Sequence, residues 1–204
     1  MKNPLLALIA STAFAGALLA TPQTFDFKDP KGVNNAVFKL DAPLEAINGS
    51  ASGISGTVTF DPANPVATRG KIVVDAKSLH VQNPMMKEHL HGEQWMDVAR
   101  HAAISFDVKQ LKNVKTTGDN TTADAVGTFT VRGVSKELTV PVKFTFLKDK
   151  LAVRTNGQMK GDLLVIRANF SINRGDFGIN PKAPADKVAE TIELTLSIAG
   201  ASPK

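Results

Sequence analysis

The chain has 204 residues, a formal net charge of +5 at neutral pH, 43% hydrophobic residues and no cysteine. The missing cysteine excludes disulfides, thiolate metal sites, covalent haem, a lipidated N-terminal cysteine and thiol catalysis, so packing alone must hold the fold. One tryptophan, no tyrosine and a mild positive charge spread along the chain argue against a nucleic-acid surface of interleaved cations and stacking rings.

The first segment reads as an address. Lys2 precedes an uncharged run from Leu5 to Leu19, and small residues close it at Ala15, Ala17 and Ala20. That is the layout of a secretory signal peptide, and the run is short for a membrane span. Residues 1–20 are assigned to the signal, with cleavage after Ala17 or Ala20, and 21–204 to one domain exported to a bacterial periplasm. Losing residues 1–20 removes Lys2 and no acid, so the formal charge falls from +5 to +4.

From residue 24 onward the dominant period is two, the mark of strands with one buried face. Ala36, Phe38 and Leu40 alternate with Val37, Lys39 and Asp41. Glycines in Gly53-Ile54-Ser55-Gly56 predict a bend or bulge. Val58 and Phe60 follow, then the turn-forming cluster Asp61-Pro62-Ala63-Asn64-Pro65, then Ile72, Val74 and Ala76. Between Pro84 and Val98 the period changes. Met86, Leu90 and Trp95 fall on one side at helical spacing, with Gly92 as a break between two short helices, and such an insert covers or plugs the end of a barrel.

Alternation resumes at Ile104, Phe106 and Val108, and again at Phe129 and Val131. In Leu138 to Phe146 every even position is apolar, while Thr139, Pro141, Lys143 and Thr145 take the odd ones. Ile166, Ala168, Phe170 and Ile172 continue the pattern, as do Val188, Ile192, Leu194, Leu196 and Ile198. Strands that each carry one apolar face predict antiparallel pairing with those faces turned inward, in a closed barrel or a sandwich. An eight-stranded barrel is either filled by its own side chains or holds one ligand, and composition leaves both open.

Chemistry has few footholds. The histidines His80, His89, His91 and His101 lie close in sequence, but no i, i+4 pair and no HExxH motif is present. A metal- or cofactor-assisted periplasmic enzyme using this His80–His101 cluster is the competing reading; a fully packed barrel without ligand is a third. Glu88 and Glu93 lack a nucleophile motif or a paired carboxylate beside them. The expectation is a protein without catalytic residues, cofactor or metal.

Several segments, in order, resemble one family. These are Gly56-Thr57-Val58-Thr59-Phe60-Asp61-Pro62, the run from Val74 to Leu79, Lys87-Glu88-His89-Leu90, Gln94-Trp95-Met96-Asp97-Val98 and Ile104-Ser105-Phe106. Gly127 to Lys136 and Asn173-Arg174-Gly175-Asp176-Phe177-Gly178-Ile179 complete the set. The chain resembles the bacterial polyisoprenoid-binding, lipocalin-like family, the YceI-like domain, over roughly residues 24–200. It departs at Met96, where a second aromatic is usual, and at Ala102-Ala103, where proline is usual.

The resemblance implies an all-β fold, an extended antiparallel eight-stranded lipocalin-like barrel with a short helical insert near residues 85–98. It also implies that the barrel interior sequesters a long isoprenoid or acyl lipid. Composition and hydropathy add the expectations of no nucleic acid as partner and no stable membrane insertion after signal cleavage, and a homodimer is left open. The expected lining is Phe38, Phe60, Val74, Phe106, Phe129, Val142, Phe144, Phe170, Ile172, Leu194 and Leu196. His89 and Arg174 are the candidates for a polar head group at the mouth.

Overall fold

The computed structural model describes residues 21–204, and the segment assigned to the signal, 1–20, lies outside the described residues. The alternating runs form strands, all paired antiparallel. In chain order these are β1 (Gln23–Asp26), β2 (Asn35–Asp41), β3 (Ala46–Ala51), β4 (Ile54–Phe60), β5 (Arg69–Asp75) and β6 (His80–Val81). A helix, α1 (Pro84–His91), precedes β7 (Ala103–Thr117), β8 (Asn120–Val131) and β9 (Val134–Leu147). One helical turn, α2 (Leu151–Arg154), then leads to β10 (Gly161–Asn173) and β11 (Thr191–Pro203).

Eleven segments make eight staves. β11 pairs with β2 from Glu193 to Ser197 and with β1 at Ala201, so β1 and β2 are successive parts of one interrupted strand. β3 pairs with β2 while β4 pairs with β1, and β6 pairs with β3 while β5 pairs with β4, which makes two more interrupted strands. With β7 to β11 the ring closes as an eight-stranded up-and-down barrel. Closure leaves the sheet no long free edge.

Local chemistry sets the interruptions. The bend expected from Gly53 separates β3 from β4, where Asp75 N–H bonds the Gly53 carbonyl at 2.8 Å. Gly49 lies opposite Phe38, and a Cβ there would run into the Phe38 ring. In β7 the register slips between Val108 and Gln110, so the buried residue after the bulge is Leu111 rather than an even-numbered one.

β8 and β9 meet in a two-residue turn at Arg132 and Gly133, both at positive φ (51° and 73°). Such a turn makes Val131 and Val134 a hydrogen-bonded pair, so odd-numbered residues of β9 turn their backbone N–H toward β10. Pro141 is one of them and has no N–H. The β9–β10 ladder runs from Leu147 only to Val142, and beyond Pro141 the two strands part.

The two barrel ends differ. At the end where β1 begins and β11 finishes, Phe25, Phe27, Phe60, Leu164 and Ile198 are sealed from solvent. Phe60 stacks on Phe144 at 5.4 Å between centroids, and Phe25 meets Phe146 edge-on at 6.2 Å. This is a packed floor. At the other end converge α1, the β2–β3 turn, the β8–β9 hairpin and the segment between β10 and β11.

The helical insert is one helix, not two. Asn83 caps it by accepting the Met86 N–H at 3.1 Å, Pro84 occupies its first turn, and Gly92 closes it through Glu88 and His89 carbonyls. The second helix expected after Gly92 does not form. Asp97 sits at φ 45°, outside the helical region, and tight turns tuck Met96, Asp97 and Val98 under the rim.

Candidate ligand cavity

Inward-facing side chains at mid-barrel are apolar yet only half-buried. Ile72, Val74, Ile104, Phe106, Val142, Phe170, Leu194 and Leu196 all point inward, and all keep accessible surface. At the floor Phe25, Phe27, Phe60, Leu164 and Ile198 are 1% exposed or less. The surface at mid-barrel faces a cavity of about 430 Å³ lined by all eight staves and α1. That volume falls within the range of about 300–1,000 Å³ typical of small-molecule sites.

Ten of the eleven apolar residues expected in the lining face this cavity: Phe38, Val74, Phe106, Phe129, Val142, Phe144, Phe170, Ile172, Leu194 and Leu196. Phe129 anchors a ring cluster, edge-on to Phe170 at 5.8 Å and to Phe177 at 5.6 Å. Phe60 is a correction. It lies behind Phe144 in the floor, 1% exposed, and does not reach the cavity.

The two polar candidates part company. His89 stands on α1, exposed, at the cavity rim, where the only other titratable side chain of the lining among the described residues is Glu45 of the β2–β3 turn. Arg174 is the second correction. It is 2% exposed, outside the cavity, and its guanidinium is spent on backbone carbonyls. Nε donates to Ala189 O at 3.1 Å, one terminal nitrogen donates to Asn180 O, and the other donates to Ala183 O at 2.7 Å and Val188 O at 3.3 Å. Four of its five N–H donors are engaged in this way, and the group lies outside the cavity where a head group would sit. Arg132 does similar work nearby, donating to Gly178 O and Glu93 O at 2.8 Å each. The two arginines staple the loops of the lid end together.

Residues absent from the expected lining include Ile47 on β3, Leu79 and Val81 around β6, Met86, Leu90, Trp95 and Met96 of the insert, and Ile179 and Val188 of the last long loop. The helical spacing of Met86, Leu90 and Trp95 carried the signal for three of them. Ile47 had none, because Asn48-Gly49-Ser50 beside it shows no alternation.

The histidines do not converge. His91 Nε2 bonds the Leu79 carbonyl at 2.8 Å, the His101 ring packs on Gly133, and His80 is exposed on β6. Among the described residues no group of three or more His, Cys, Asp and Glu side chains is gathered to hold a metal ion. Inside the cavity there is carbon surface and little else, an arrangement that can exclude water from an apolar molecule.

Comparison with known proteins follows the same line. The family model described as YceI-like domain matches residues 29–199. A protein of Ectopseudomonas mendocina (strain ymp) named UPF0312 protein is 28% identical over 207 residues, covering 98% of each chain. The crystal structure of Burkholderia cenocepacia BcnA superposes with a TM-score of 0.66 at 17% identity, over 81% of this chain and 95% of that one. A structure described as a polyisoprenoid binding domain from Saccharophagus degradans gives a TM-score of 0.63 at 9% identity, over 90% and 100%.

Proposed function

The chain belongs to the YceI-like domain family, and from that premise we propose that the mature protein is an exported carrier that holds a long isoprenoid or similar amphiphilic lipid in its barrel. One observation carries the reading: apolar side chains ring the middle of the barrel and keep their surface, because they face a cavity instead of each other. Exposed carbon of that kind costs free energy until something apolar covers it. Each buried methylene contributes about 0.8 kcal/mol, so ten of them supply roughly 8 kcal/mol before the costs of association and ordering.

The floor closes one end, so the lipid enters from the lid end, and its polar terminus lies near Glu45 and His89 at the rim. The function is binding rather than catalysis, since both titratable groups of the lining sit at that rim and the interior offers none. The name of the Saccharophagus degradans neighbour supports the same ligand class. Lys2 and the uncharged run from Leu5 to Leu19 support export to the periplasm.

The test is mass spectrometry of organic extracts from protein purified without detergent from the cell envelope. The expected result is an isoprenoid or long-chain lipid near one per barrel. Protein that emerges empty and takes up no isoprenoid from added vesicles overturns the reading.

A further inference from the structure

A second, open hollow lies on the outer wall, where β9 and β10 part after Pro141. Around it the register brings cations into one row across the strands. Lys115 pairs with Thr122, Thr122 with Lys143, and Lys143 with Arg167. Adjacent strands lie about 4.8 Å apart, so Lys143 and Arg167 stand side by side and Lys115 is three strands away from Arg167. Like charges directly opposite each other on a sheet destabilise it. Some cations elsewhere on the barrel surface have an acid within reach, Lys109 with Glu137 at 2.8 Å, Lys39 with Asp41 at 2.7 Å and Lys136 with Asp176 at 2.9 Å. Lys115, Lys143 and Arg167 have no ion-pair partner among the described residues.

Neutral donors complete the hollow. Thr122 and Asn169 line it together with Asn113, which donates to Asp124 at 2.6 Å. Asp124 is the one acid of the lining, and it faces Lys112 across the strands, so the hollow keeps its positive excess. A sheet that sets an arginine against a lysine beside a cleft breaks a local rule, and such breaks concentrate at functional sites.

We propose that this outer hollow is a phosphate-binding site, distinct from the lumen and independent of what the lumen holds. Arg167 provides the planar fork that matches phosphate oxygens in two parallel hydrogen bonds, with Lys143 and Lys115 as flanking point charges. The row is more than one charge long, which suits a ligand with more than one negative charge. Its source is either a free phosphate ester or the head groups of an anionic bilayer.

Titration of the intact protein with inorganic diphosphate, beside co-sedimentation with phosphatidylglycerol and phosphatidylcholine vesicles, tests the site. Diphosphate is expected to bind, more weakly as salt rises, and at least tenfold more weakly to Arg167→Gln and Lys143→Gln. Lys109→Gln, on the same outer face of the barrel and paired with Glu137, should bind like wild type. Sedimentation with phosphatidylglycerol but not phosphatidylcholine, lost in Arg167→Gln and without diphosphate binding, assigns the site to a bilayer head group. A second readout is stability. Arg167→Gln relieves the opposed charges and should leave the melting temperature equal or about 1 °C higher. Absence of binding to both probes, or binding that Arg167→Gln and Lys143→Gln leave unchanged, overturns the proposal.

Discussion

Arg174 shows how a side chain that invites a functional role can be taken up by structure instead. Its guanidinium crosses beneath the loop from Asn180 to Ala189 and satisfies carbonyls that would otherwise be orphaned in a buried place. Arg174→Gln is expected to cost at least about 3 kcal/mol, read as a melting temperature lower by roughly 6–12 °C. Lipid per folded barrel should stay unchanged, and a selective loss of lipid without loss of stability would restore Arg174 to the binding site. At the floor, Asp162 is the matching case. Burial pushes its carboxyl up, but the Asp149 N–H at 2.8 Å and the Lys204 ammonium at 2.9 Å outweigh that and hold it below the usual carboxylate range. A depressed folded value means stability that is complete above the unfolded value of about 3.9 and lost as pH falls through the folded one. Asp162→Asn should therefore melt below wild type at pH 7, and the gap should narrow as pH drops under about 4 in parallel thermal melts.

Among the elements, α1 is the least anchored. None of its residues is fully buried; it rests over the lumen on Met86 and Leu90 and depends on its Asn83 cap. Asn83→Ala removes one N-terminal partner at a cost of about 1 kcal/mol. If α1 is the lid, lipid release in a stopped-flow transfer assay should speed up severalfold while the barrel's melting temperature moves by less than about 4 °C. Unchanged release would place the exit elsewhere. The sequence made the regular staves legible, because Leu138 to Phe146 and Ile192 to Ile198 alternate without a fault. It hid β3, whose small residues make room for the Phe38 ring, and the even-to-odd shift in β7, since a bulge leaves no sign in composition. The helical spacing revealed α1, but placed a second short helix after Gly92, because nothing in the sequence pattern marks Asp97 as the left-handed residue that turns the chain there. Alternation also separated inside from outside correctly, yet said nothing of height along the barrel axis. That is why Phe60, in the floor, looked equivalent to Phe106, in the lumen.

Taken as one object, the barrel is packed at the floor and hollow above it, and this division is what a carrier needs. A filled core and a lipid tunnel predict opposite responses to added volume, and the structure now says where to add it. Leu194 faces the cavity at mid-height, half-buried, with Phe170 and Phe38 opposite it on the neighbouring strands. Phe144 lies lower, 3% exposed and stacked on Phe60. Leu194→Trp puts the extra ring into empty space, so the fold should hold within about 4 °C of wild type, while extracted lipid falls to less than half. Phe144→Trp meets close-packed atoms instead, and should cost about 1–3 kcal/mol with lipid per folded barrel reduced less. Ser197→Ala, three residues from Leu194 on the outer face of the same strand, should alter neither quantity. The pair of tryptophan variants separates the alternatives with one melting curve and one extraction each. If both destabilise the barrel alike and neither changes bound lipid, the space at mid-height is not a ligand site, and the carrier function falls with it.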